Sequence, residues 1–249
     1  MKTTISSVCV LIILTFSYCA ELPPSFKKCN IKQSDFKKCL SNAVQNAIQQ
    51  LKDPIPKLGL HSIDPFWMET LTMEVGNASE GLHQIWSNVT VYGLSKPVAT
   101  DASWISGSVI TLDLEVSYDR TLVFASNYEA HGAVLLLPVD VFSSFRCEFV
   151  KGGKIKVTYK IQKPKKGNGY FKLISTKVVL EPKRAKYIFT KVFENQNLTD
   201  ALNSEMYKNW EGAWKFIHGF LNVYDPFFDA LLRSILEKVP ADQIIDGLD

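Results

Sequence analysis

Beyond residue 20 the chain lacks any apolar run long enough to cross a bilayer as a helix. It also lacks a charge excess: its 249 residues carry 28 Lys and Arg against 25 Asp and Glu. So small an imbalance argues against a nucleic-acid partner, which needs a basic stripe to displace counterions from phosphates. The clusters Lys27-Lys28, Lys37-Lys38 and Lys163 to Lys166 are short, as expected of solvated loops and turns. Histidine is scarce, with only His61, His83, His131 and His218. No His-Glu-x-x-His, Cys-x-x-Cys or phosphate-binding loop occurs, and Ser106 and Ser108 flank Gly107 without forming a Gly-x-Ser-x-Gly elbow. No Gly-rich turn opens a helix after a strand, which argues against a nucleotide fold. These gaps predict a protein that is not an enzyme and holds neither a metal nor a cofactor. The enzymatic alternative, hydrolysis of a hydrophobic ester, requires a Ser hydroxyl within hydrogen-bond reach of a His.

What the chain does have begins at its first residues. Lys2 precedes the apolar stretch Val8-Cys9-Val10-Leu11-Ile12-Ile13-Leu14, and the small residues Ser17, Cys19 and Ala20 follow. This predicts a signal peptide over residues 1–20, with cleavage after Cys19 or Ala20. A single domain over residues 21–249 is then expected outside the cell, without stable membrane insertion and as a monomer. Loss of Lys2 leaves 27 Lys and Arg against 25 Asp and Glu, a net charge of +2. Cys9 leaves with the signal, and so does Cys19 unless cleavage falls before it. Of the remaining Cys29, Cys39 and Cys147, the first two are close enough in sequence to pair in an oxidising compartment. Cys147 is left over, either as a buried inert thiol, which is favoured, or as half of a bridge to another chain. Three sequons, at Asn77, Asn88 and Asn197, are candidate N-glycosylation sites.

The hydrophobic period changes twice along the chain. Phe36, Leu40, Val44, Ala47, Ile48 and Leu51 recur at helical spacing behind a Ser34-Asp35 cap, and Pro54 and Pro56 end the run. From about Trp67 to about Phe193 the texture is rich in Val, Ile, Thr, Tyr and Phe and alternates with period two. The candidate strands are 85–92, 108–116, 120–125, 132–138, 154–162 and 170–180, forming one long antiparallel meander with an apolar face. From Leu198 to Val239 apolar residues again recur every three to four positions, a stripe of roughly 60 Å if continuous. Pro226 falls inside it and should kink or break it. A broad aromatic stripe of this length needs an apolar partner surface, and a curved sheet wrapped around it supplies one. That leaves a long, narrow apolar interior of the kind that holds elongated lipids.

Several motifs occur together in order. They are Cys29 and Cys39-Leu40 before a helix, the stretch Ile55-Pro56 to Asp64-Pro65, and Ser87-Asn88-Val89-Thr90-Val91-Tyr92-Gly93-Leu94-Ser95. Tyr128 to Pro138, Phe193-Glu194-Asn195 through Asn209-Trp210, and Val239-Pro240 complete the set. This ordered set resembles the insect takeout / haemolymph juvenile-hormone-binding family over nearly all of the mature chain. The resemblance implies an α+β tubular lipid-binding fold, a strongly curved antiparallel sheet wrapped around a long C-terminal helix. It also implies a secreted carrier of juvenile hormone, a related terpenoid or a fatty acid. The hormone-binding branch commonly has a second disulfide, and no later Cys stands ready to pair with Cys147. The resemblance therefore leans to the takeout-like branch.

The aromatic residues carry the functional expectation. Most large aromatics are simply core, but an interior too long to fill needs walls. Trp214, Phe220, Tyr224 and Phe228 lie near Pro226, and Trp67 opens the sheet, so these five are the expected ligand-lining residues. Tyr224 or His218 would orient a polar head. The alternative is a secreted interaction protein with a filled core, acting through a receptor or partner surface.

Overall fold

The computed structural model describes residues 21–75, 81–120, 122–134, 137–165, 169–218 and 224–248. The predicted signal peptide, the sequon at Asn77 and the lining candidate Phe220 lie outside these residues, as does the side chain of His218.

The chain enters through β1 (Cys29–Asn30) and α1 (Phe36–Gln50). Nine strands follow: β2 (Phe66–Val75), β3 (Leu82–Tyr92), β4 (Ala99–Ile105), β5 (Val109–Tyr118), β6 (Val123–Val134), β7 (Leu137–Phe149), β8 (Gly153–Gln162), β9 (Lys172–Pro182) and β10 (Ala185–Phe189). The helices α2 (Gln196–Lys208), α3 (Trp210–His218), α4 (Asp225–Leu236) and α5 (Ala241–Ile244) come next, and β11 (Ile245–Asp246) closes the chain.

The α+β architecture expected from the sequence is present, with two differences. The first concerns the sheet. Its strands form a five-stranded sheet in the order β10-β7-β6-β3-β2 and a four-stranded sheet in the order β4-β5-β8-β9, not one meander. Successive hairpins alternate between the two sheets, so the chain crosses from one to the other after β3, β5, β7 and β9. The predicted segments 120–125 and 132–138 are the two ends of one hairpin: β6 runs through Val134 and β7 starts at Leu137. Pro138 is the second residue of β7, near a strand start, where a missing donor is tolerated.

The second difference concerns the C-terminal stripe, which is interrupted at Asn209 as well as at the expected Pro226. Asn209 separates α2 from α3, and Pro226 stands in the first turn of α4, where its missing N–H costs no hydrogen bond. Asp225 anchors that turn, its carboxylate accepting from Val178 N of β9 at 2.7 Å. Burial raises the Asp225 pKa, against the pull of that hydrogen bond and of Lys177. The predicted cap of α1 also differs: Asp35 occupies the N-cap position without a side-chain cap hydrogen bond.

Alternation explains how the four-stranded sheet buries one face. In β8, Ile155, Val157, Tyr159 and Ile161 are buried while Lys154, Lys156 and Lys160 point outward. On that outer face Lys156 Nζ lies 2.8 Å from Glu181 and 3.8 Å from Glu115, exposed pairs that contribute little stability. Helix α1 packs along β4 and α4 along β9, while α2 and α3 pack against β10. Thr199 is fully buried and caps the turn into α2, its Oγ1 accepting from Val192 N and Phe193 N at 3.1 Å each.

Cys29 and Cys39 are bonded, with Cα atoms 5.9 Å apart. The bridge ties β1 to α1, and β1 pairs in parallel with β11, so the segments before α1 and after α5 are fastened at one corner. Closing so short a loop is worth about 3 kcal/mol on the chain-entropy estimate. The double variant C29A/C39A should lose that amount in urea unfolding. A loss below about 1 kcal/mol would show that the corner is held without the bridge.

The candidate ligand chamber

The four-stranded sheet, α1 and α4 do not meet over their full faces. Between them lies a cavity of about 220 Å3. Leu40, Val44, Ala47 and Ile48 of α1 form one wall, and Leu112, Leu114, Val157, Tyr159 and Ile161 of the sheet form the second. Phe228, Leu231, Leu232 and Ile235 of α4 form the third. Leu22, Phe26 and Lys27 from the entering segment, with Ile244 and Ile245 from the closing one, also border it, and it remains partly open to solvent. The spacing of the α1 and α4 residues is the helical stripe itself, so each helix turns its apolar face to the void.

The lining is almost wholly apolar. Its polar groups are few: the exposed Lys27 and the Tyr159 hydroxyl. Tyr159 donates to the Phe228 carbonyl at 3.4 Å, and burial, helped by the Asp229 charge, pushes its phenol well above the ordinary value. It is therefore a neutral donor already engaged within the protein. A pocket so lined offers water few polar partners.

A second void of about 20 Å3 lies deeper, between the sheets, walled by residues that include Phe66, Met68, Val91, Phe124, Tyr224 and Phe227. Phe228 lines both spaces and forms the partition between them. Its ring centroid is 4.9 Å from that of Phe227, which in turn stacks 3.7 Å from Phe66. Burial also pushes the Tyr224 phenol up, with Cys147 adding to the shift. Cys147 is a free buried thiol, raised in the same way by burial and then by Glu148, and so is held as an unreactive neutral group.

The five lining candidates are thus dispersed. Tyr224 and Phe228 meet at the inner void. Trp214 packs into the core with its ring 5.5 Å from Phe149, away from either void. Trp67 is 56% exposed and lines neither. Phe220 lies outside the described residues. Of the described four, Phe228 alone lines the larger chamber, whose walls are mainly aliphatic residues with Phe26, Trp104, Tyr159 and Phe171, and their signal in the sequence is ordinary amphipathic periodicity. Nothing in that signal distinguishes a wall from a packed core.

An apolar chamber walled by a sheet and two amphipathic helices, and partly open to solvent, is the form of a hydrophobic-ligand-binding protein. The chain belongs to the family described as Haemolymph juvenile hormone binding protein (JHBP), whose profile matches residues 7–246. It is 22% identical to the circadian clock-controlled protein daywake of Drosophila yakuba, with 98% of each chain covered. To daywake of Drosophila melanogaster it is 20% identical, over 90% of this chain and 88% of that one. In three dimensions it is similar to the crystal structure of Epiphyas postvittana Takeout 1, with a TM-score of 0.66 and 20% identity. That likeness covers 88% of this chain and 99% of the other, and it shows the shared fold.

Proposed function

We propose that this protein is a secreted, non-enzymatic carrier of a small elongated hydrophobic ligand: juvenile hormone, a related terpenoid or a fatty acid. The observation that carries the reading is the apolar chamber of about 220 Å3 between α1, the four-stranded sheet and α4. A protein acting only through its outer surface gains nothing from leaving such a space unfilled, since each missing contact costs dispersion energy. Membership of the JHBP family supports the same reading. Secretion is part of the proposal, supported by the apolar N-terminal run and by the Cys29–Cys39 bond, which belongs to oxidising compartments.

The chamber constrains the ligand. An apolar chain burying its surface there gains roughly 25 cal/mol per Å2. The space lies below the range of about 300–1,000 Å3 usual for ligand pockets. A longer ligand must therefore swing Phe228 aside and join the two voids. A polar end has its natural place at the mouth beside Lys27, because the inner void has no polar lining.

Native mass spectrometry of the secreted protein, followed by organic extraction, tests the proposal. A stoichiometric terpenoid or fatty molecule is expected. A protein that arrives empty and takes up neither a juvenile-hormone analogue nor a fluorescent fatty acid would overturn it.

A further inference from the structure

The outer side of the five-stranded sheet carries a second concavity, away from the chamber. It is a shallow groove of about 430 Å3 crossing β3, β6, β7 and β10. Its lining is mixed: Asn88, Asn127, Ser144, Arg146 and Thr190 stand beside Ala125 and Ile188, and most of its surface is apolar. Ser126 borders the groove too, but its side chain lies on the inner face of β6, opposite Asn127 and paired with the buried Phe145. Ser144 and Thr190 face each other with their hydroxyls 2.9 Å apart, and Arg146 is paired with Glu148.

Asn88 stands at the rim of this groove. The β3–β6 register shifts between Ser87 and Thr90, and Asn88 sits in that bulge with φ of 55°. The bulge removes it from the ladder and leaves it exposed. Asn tolerates this left-handed conformation, which accounts for Asn at position 88 but not for Thr at position 90. Thr90 completes the sequon, and its hydroxyl makes only a local contact with the Asn88 carbonyl at 3.4 Å. The sequon at Asn197 differs: its Thr199 is fully buried and has a structural task at the start of α2. On the other side of Thr90 its cross-strand partner is Trp67, whose ring is 56% exposed. Directly paired residues have Cβ atoms about 5 Å apart, so the indole flanks the sequon.

We propose that Asn88 carries an N-linked glycan whose first sugars lie along this outer face, their hydroxyls and acetamido groups in the groove and one ring face against Trp67. Sugar rings offer both kinds of contact: hydroxyls for the Asn127 amide and for the Ser144 and Thr190 hydroxyls, and an apolar face for an exposed indole. The proposal rests on the secretory reading above.

The test is production of the full-length chain in insect cells and glycopeptide mass spectrometry of protein from the medium. Glycan mass on the Asn88 peptide is expected, and it should vanish in Asn88→Gln and in Thr90→Val, the second of which keeps Asn in the bulge. Acrylamide quenching of tryptophan should rise when a peptide-N-glycosidase strips the native protein, and this rise should be absent in Trp67→Phe. Secreted protein with Asn88 unmodified overturns the proposal, and binding of added free oligosaccharide by that protein would assign the groove to an external sugar. A modified Asn88 with no change in quenching overturns the docking on Trp67. Failure of the chain to reach the medium sinks the secretory reading instead, which separates the two failures.

Discussion

Replacing Ala47 with tryptophan should abolish ligand uptake while the protein stays folded. Ala47 lies on the α1 wall of the chamber, one turn from Val44 and Leu51. An indole at this position projects into space that is empty of protein atoms, so it displaces ligand without displacing the sheet. A ligand burying about 300 Å2 of apolar surface gains roughly 7 kcal/mol. Losing even 40% of that contact weakens binding by about 100-fold, since 1.4 kcal/mol is a factor of ten. Filling a void is usually neutral or stabilising for the fold, so the melting temperature should hold or rise. Displacement titration with a fluorescent fatty acid, run beside thermal unfolding, reads both quantities. Unchanged affinity in a folded A47W protein would place the ligand outside the chamber.

The reason Ala47 could not be chosen from the sequence is instructive. The α1 stripe from Phe36 to Leu51 was legible as a helix, and α1 ends within one residue of it. Periodicity reports which face is apolar, but not whether the facing surface arrives at contact distance. Tyr224 and Phe228 were legible for a related reason: Pro226 marks where the stripe must break, and residues beside a break face several elements at once. Trp67 shows the limit. In an alternating strand neighbouring residues point to opposite faces, and its partner Thr90 lies on the outer one. Its place at the opening of the sheet had suggested an interior residue.

Sheet topology was hidden for a different reason. Alternation along β5 or β8 specifies a buried face and says nothing about which strand lies alongside. The hairpins β2-β3, β4-β5, β6-β7 and β8-β9 are local and follow from turns, whereas their sorting into two sheets depends on long-range pairing such as β3 with β6 and β5 with β8. The β3-to-β4 crossover is fixed by a side chain far away in sequence, Asp64, which the sequence marked only as the end of the Ile55-Pro56 to Asp64-Pro65 stretch.

Asp64 is accordingly the site of the largest stability effect expected. Its Oδ1 accepts from Gly93 N at 2.8 Å, and its Oδ2 accepts from Ser95 Oγ at 2.6 Å and from Ser95 N at 3.3 Å. Gly93 adopts φ of 93°, a left-handed conformation that suits glycine. Ser95 is 6% exposed, and the adjacent Leu94 carbonyl accepts from the buried Tyr118 hydroxyl at 3.0 Å. One carboxylate thus holds the crossover against the segment that enters β2. Asp64→Ala removes three charge-assisted hydrogen bonds and strands two backbone donors, which should cost about 4 kcal/mol. For a chain of this size that is a fall of about 10 °C in Tm. The pH dependence gives a second readout. Burial raises the Asp64 pKa, but the hydrogen bonds from Ser95 and Gly93, with the Lys96 charge, outweigh it and hold the group below its ordinary value. A depressed carboxyl contributes stability that is complete above the unfolded pKa of about 3.9 and is lost as pH falls through the lower folded value. Urea unfolding of wild type and D64A should therefore show a constant gap from neutral pH down to about 5, and that gap should narrow below about 4. A gap under about 1 kcal/mol, or one that keeps its size into strong acid, would mean that the crossover is held by Tyr118 and its neighbours rather than by the Asp64 carboxylate.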